Sequence, residues 1–157
     1  MRVTRPRTLV AGVGNVLLGD DGFGVEVARV LAASALPEGV RVADFGIRGL
    51  HLAYELLDGG YDTTILVDAT ARGERAGTVS LIEAGAGAAA TADAHGMTPD
   101  QVLGWVRAMG GDPGHVLVVG CEPLATEEGW GLSEPVARAV LQAVALVRRL
   151  VGAGGPG

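Results

Sequence analysis

Short apolar, β-branched runs alternate along this chain with longer stretches whose apolar positions recur at helical spacing. That alternation predicts an α/β layered domain. Thr8-Leu-Val-Ala-Gly reads as a first strand, Val40-Arg-Val-Ala-Asp as a second and Thr63-Thr-Ile-Leu-Val-Asp as a third. Thr78-Val-Ser-Leu-Ile-Glu follows after a connection too short for a helical crossover, which predicts an antiparallel neighbour. His115-Val-Leu-Val-Val-Gly is a fifth strand, and its unbroken apolar run suits a position covered on both faces.

Helices are predicted over 25–33, 50–57, 102–109 and 136–151. Asp58-Gly-Gly and Gly110-Gly111 supply stop signals. Thr98-Pro-Asp is a start signal, with Thr98 as N-cap and Pro99 at the first helical position, and Ser133-Glu-Pro opens the last helix similarly. The expected fold is a three-layer α/β/α sandwich around a five-stranded, mostly parallel sheet. Residues 1–151 are expected to form one domain, with 152–157 a disordered tail. The Ala/Gly-rich run from Ala84 to Ala94 is low in complexity and is expected to be a mobile loop.

Composition narrows the function. Apolar residues are 48% of the 157 and aromatics only 4%, so Val, Leu, Ala and Ile must build the core. A formal net charge of −6, with basic residues scattered, argues against a nucleic-acid surface. Cys121 is the single cysteine, so no intrachain disulfide can form. The basic start Met1-Arg-Val-Thr-Arg-Pro-Arg is not followed by the apolar region of a signal peptide. No apolar run approaches the ~20 residues that span a bilayer. A cytoplasmic protein, with neither a nucleic-acid nor a membrane partner, is expected.

The first strand runs into Gly12-Val-Gly-Asn-Val-Leu-Leu-Gly-Asp-Asp-Gly-Phe-Gly. A glycine loop after a strand suggests a nucleotide phosphate, whereas paired carboxylates suggest a cation. The dinucleotide fingerprint needs a third glycine where this chain has Leu17, and no Lys-Ser or Lys-Thr of a P-loop follows. Asp20 and Asp21 would also face a polyanion without a compensating cation, so the phosphate reading loses. Either aspartate could instead be an ordinary helix N-cap, and capping is the expected role of Asp20. Asp68 closes the third strand at the sheet edge to which the first strand delivers Asp21, and ligands of open α/β sheets gather at that edge. His95 could reach it too. Asp21, Asp68 and His95 together would suit a borderline divalent metal such as Ni²⁺ or Zn²⁺.

Cys121 is expected to be a small buried apolar residue, not a nucleophile. His51 and His115 are expected to be structural or solvated. Glu122 and Arg72 fall near the site edge without an assignable role. Neither a G-x-S-x-G elbow nor an H-E-x-x-H helix is present.

From Leu9 to about Leu150 the chain resembles the [NiFe]-hydrogenase maturation endopeptidases. The Gly12–Gly24 loop matches that family's G-x-G-N-x-L-x-x-D-[DE]-x-x-G opening, with Asp21 where some members carry Glu. Asp44-Phe-Gly-Ile-Arg-Gly-Leu resembles its glycine turn after the second strand. Val67-Asp68-Ala69 matches its acidic strand end, His95 its metal-binding histidine, and Gly120-Cys-Glu-Pro123 a G-x-x-P element. The resemblance implies an aspartyl-type, nickel-recognising hydrolase that removes the C-terminal extension of the hydrogenase large-subunit precursor and so activates the enzyme. It implies Asp21, Asp68 and His95 as metal contacts, Asp21 and Asp68 as catalytic, and nickel supplied by the substrate. A monomer is expected. The alternative from another class is a non-catalytic nickel-sensing or chaperone module for the same precursor.

Overall fold

In the computed structural model, which describes residues 7–84 and 98–152, five strands form one sheet in the order β2-β1-β3-β5-β4. These are β1 (Thr8–Val13), β2 (Val40–Gly46), β3 (Thr63–Ala69), β4 (Val79–Glu83) and β5 (His115–Cys121). β1 pairs in parallel with both β2 and β3, β3 pairs in parallel with β5, and β4 runs antiparallel to β5. The short link between β3 and β4 makes that direction unavoidable, as the sequence implies. The expectations for the Ala/Gly-rich run past Ala84, for His95 and for the tail beyond Gly152 concern residues outside those described.

Side chains alternate across the sheet and so build two apolar layers. On one face Val10, Ile65, Val67 and Val119 pack under α1 (Phe23–Ala32) and α4 (Glu134–Leu150), with Phe23, Val27, Leu31, Val136 and Val147 buried against them. On the other, Leu9, Ala11, Leu66 and Val118 lie under α2 (Gly49–Gly59) and α3 (Pro99–Ala108), against Leu52, Leu56, Val102 and Val106. Each such large side chain contributes about 1.5–3 kcal/mol on leaving water. The layered α/β/α architecture follows directly from the strand and helix periodicities.

The start of α3 holds the capping box its sequence announces: Gln101 N–H donates to Thr98 Oγ1 at 3.1 Å, and Thr98 N–H to Gln101 Oε1 at 3.2 Å. β1, β3 and β5 all end at the same edge of the sheet, and the loops leaving that edge carry the candidate chemistry.

Candidate active site

β1 does not pass straight into a helix. A 3-10 turn at Gly19–Gly22, containing Asp20 and Asp21, intervenes before α1. The loop is held by its own polar groups. Asn15 N–H donates to Asp21 Oδ2 at 2.8 Å, Leu17 N–H donates to Asn15 Oδ1 at 2.9 Å, and Asp21 N–H reaches back to Leu18 O at 3.1 Å. Asn15 therefore makes the local side-chain turn its residue type favours, and its backbone fixes the Asp21 carboxylate.

Asp68 stands near the end of β3, in register with Gly120 of β5, and its Oδ1 accepts from Ala69 N–H at 2.8 Å. Gly14 lies between the two aspartates. A Cβ built there would clash with the Asp21 carbonyl and stand 3.8 Å from Asp68 Oδ1, and φ of Gly14 is +136°. Gly24 is equally confined: a Cβ would sit inside the carbonyl oxygens of both Val13 and Val67. The glycines of this loop thus serve close approach by the chain's own backbone. They draw the turn bearing Asp21 down onto the ends of β1 and β3.

The two sequence-assigned aspartates are accordingly brought to one edge, on either side of Gly14. His95, the third expected ligand, lies outside the described residues. Among the described residues no three His, Cys, Asp or Glu side chains gather as a metal-holding group. Two carboxylates with one imidazole arriving from elsewhere would form a hard-to-borderline donor set compatible with Ni²⁺ or Zn²⁺. Asp44, exposed at the end of β2 opposite Gly12, adds a further carboxylate to the same edge.

N-capping explains neither aspartate. The residue capping α1 is Gly22, with no side-chain cap hydrogen bond. Asp20 is instead wholly buried and clamps the loop that follows β5. Its Oδ2 accepts from Leu124 N–H at 2.8 Å, Ala125 N–H at 2.9 Å and Ser133 Oγ–H at 2.8 Å, while Oδ1 accepts from Ser133 N–H at 2.7 Å. Burial pushes the acidity of this carboxyl toward higher pKa, but hydrogen bonds from Ala125, Ser133 and Leu124 outweigh it and hold the group below its ordinary 3.8. Sequence reading missed this clamp because more than a hundred residues separate the partners, and an Asp-Asp pair before a helix looks like a cap.

Neighbouring polar groups complete the edge. Glu122, buried, accepts from Arg72 N–H at 2.8 Å through Oε1, which gives both residues a part in shaping the loop after β3. Cys121 is fully buried, and burial followed by the charges of Asp20 and Glu122 pushes its thiol up to about 12. A thiol so held is a poor nucleophile, in keeping with its expected packing role. His115 is exposed and pairs with Glu83 at 2.9 Å, and His51 is exposed on α2. No helix among the described residues is long and apolar enough to cross a membrane.

This fold recurs in solved hydrogenase maturation peptidases. The chain is 31% identical over 153 residues to the hydrogenase expression/formation protein HupD of Rhizobium leguminosarum bv. viciae, covering 93% of this chain and 74% of that one. It is 34% identical to a putative hydrogenase maturation protease of Methanocaldococcus jannaschii, with 88% and 92% covered. The structure superposes on the hydrogenase maturating endopeptidase HybD of E. coli with a TM-score of 0.82 at 28% identity, covering 95% of this chain and 94% of that one. A hydrogenase 2 maturation peptidase from a Thaumarchaeota archaeon gives 0.72 at 31% identity, with 93% and 98% covered. The family model described as hydrogenase maturation protease matches residues 25–150, and the chain belongs to that family.

Proposed function

We propose that this protein hydrolyses one peptide bond of a [NiFe]-hydrogenase large-subunit precursor, releasing its C-terminal extension once nickel has been inserted. The observation that carries the reading is the placement of Asp21 and Asp68 around Gly14 at the carboxyl edge of the sheet, in a chain of the maturation protease family. Both carboxylates are oriented by backbone donors, Asn15 for one and Ala69 for the other, so little reorganisation is needed when a cation arrives.

Nickel enters as part of the substrate. Asp21 and Asp68 would supply oxygen ligands to it, and His95 is the imidazole ligand that the family resemblance implies. Cleavage adds water across the scissile amide: the water oxygen bonds to the carbonyl carbon, the C–N bond breaks, and the leaving nitrogen takes a proton. A carboxylate at this edge can accept the proton of the attacking water, and the substrate's metal can polarise the carbonyl. The thiol of Cys121 takes no part.

Incubation of the purified protein with a nickel-loaded large-subunit precursor tests the reading. The expected result is a large subunit shortened by the mass of its extension. Stable binding without any shortening would identify a nickel-sensing or chaperone module instead.

A further inference from the structure

The loops flanking the candidate site carry large apolar side chains that nothing in the described structure covers. Leu17 is 57% exposed, Leu124 63% and Trp130 79%. Leu17 follows β1 and the other two follow β5, yet all three belong to one hydrogen-bonded unit. Gly129 N–H donates to Leu17 O at 2.9 Å, Gly19 N–H to Gly129 O at 2.8 Å, and Asp20 N–H to Ala125 O at 2.8 Å. Leu18 and Gly129 make a parallel bridge, and the buried Asp20 carboxylate binds both ends of the segment, Leu124 and Ala125 at one and Ser133 at the other.

An exposed Trp on a slack loop would need no explanation. Here the loop is fixed by a buried, fourfold hydrogen-bonded carboxylate, so its conformational entropy is already lost before any partner arrives. Rigid aromatic side chains in such settings are the residues that dominate binding energy at interfaces. Asp20, whose carboxylate fixes this loop, is adjacent to Asp21 in the same 3-10 turn, which ties the apolar loop to the candidate site. Glu127 and Glu128, both exposed, put negative charge between Leu124 and Trp130.

We infer that Leu17, Leu124 and Trp130 form a docking ledge for the precursor polypeptide, receiving an apolar side chain flanked by a basic one. The inference rests on the protease reading for the identity of its partner. Asp20 is then a positioning residue, acting through the loop it clamps. A substrate held on the ledge would be presented to Asp21 and Asp68 without new loop ordering.

The chain has two tryptophans, so in a Trp105→Phe background the emission reports Trp130 alone. Titration with nickel-free precursor is expected to shift that emission to the blue. Trp130→Ala should weaken the affinity about tenfold, and Trp130→Phe should restore most of it. Glu127→Gln with Glu128→Gln should lower the salt dependence of association. With nickel-loaded precursor, the loss in Trp130→Ala should fall on KM and leave kcat within about twofold. An unchanged emission, together with an affinity for Trp130→Ala within about twofold of wild type, would overturn the ledge. A wild-type protein that shows the Trp130 shift but never shortens the precursor supports the ledge and overturns the protease reading. One that shortens the precursor with Trp130 unaffected does the reverse.

Discussion

The backbone N–H of Asn15 donates to Oδ2 of Asp21 at 2.8 Å, across six residues of a loop that is also tied to the end of β2 and to the segment after β5. This bond orients the Asp21 carboxylate at the sheet edge. Asn at position 21 would keep an acceptor for Asn15 while losing charge and ligand strength. Asp21→Asn is therefore expected to keep its fold by circular dichroism and to lose at least about a hundredfold in precursor cleavage. Asp68→Asn should behave alike, because an amide oxygen can still accept from Ala69. Wild-type rates in either variant would remove that residue from the site.

Asp20 makes a separate prediction, about stability. Its folded pKa lies below the ordinary 3.8, so the unfolded chain binds the proton more readily. The stabilisation is complete above the ordinary value and is lost as pH falls through the folded pKa. Asp20→Asn should lack this acid-sensitive component, since Asn offers one acceptor oxygen where four donors converge. At neutral pH each donor left unsatisfied costs about 1–3 kcal/mol. A fall in Tm of about 10 °C is expected, given about 2–4 °C per kcal/mol for a chain of this size. Thermal melts of both proteins from pH 7 to pH 3 would check it: the gap between them should narrow toward pH 3.

Packing gives a third test through paired glycines. A Cβ on Gly24 would enter the carbonyl oxygens of Val13 and Val67, whereas a Cβ on Gly104, within α3, meets nothing within 4 Å. Gly104→Ala should stabilise by about 0.5–1 kcal/mol through helix propensity. Gly24→Ala should destabilise by several-fold more and displace the turn bearing Asp21. Denaturant midpoints of the two variants should move in opposite directions.

The strands and helices were legible because their signals are local. The apolar, β-branched runs of β1 and β3, the short β3–β4 link and the Thr98-Pro99 start each act within a few residues, and the sheet follows from them. The arrival of Asp21 and Asp68 at one edge was legible too, because carboxyl ends of parallel strands share an edge by construction. What could not be read was long-range polar closure. Asp20 bonds to residues more than a hundred positions away, and nothing near it in sequence distinguishes a clamp from a cap. The glycine loop was legible as something other than a phosphate cradle, but not that its contacts are the chain's own carbonyls.

We propose that the cation recognised at this edge comes with the substrate. Asp21 and Asp68, joined by the imidazole that the family resemblance implies, would still leave coordination positions open, unlike the four-ligand sets of structural zinc sites. Nickel already bound in a precursor would need only partial completion, which the same residues would supply under this proposal. The direct measurement compares cleavage of nickel-loaded and nickel-free precursor by mass, with no metal added and with the metal content of the protein determined beforehand. Little stoichiometric metal is expected in the purified protein, with a shortened large subunit from the nickel-loaded precursor and an intact nickel-free one. Equal cleavage of the nickel-free precursor, or one tightly held zinc per chain, would contradict the proposal.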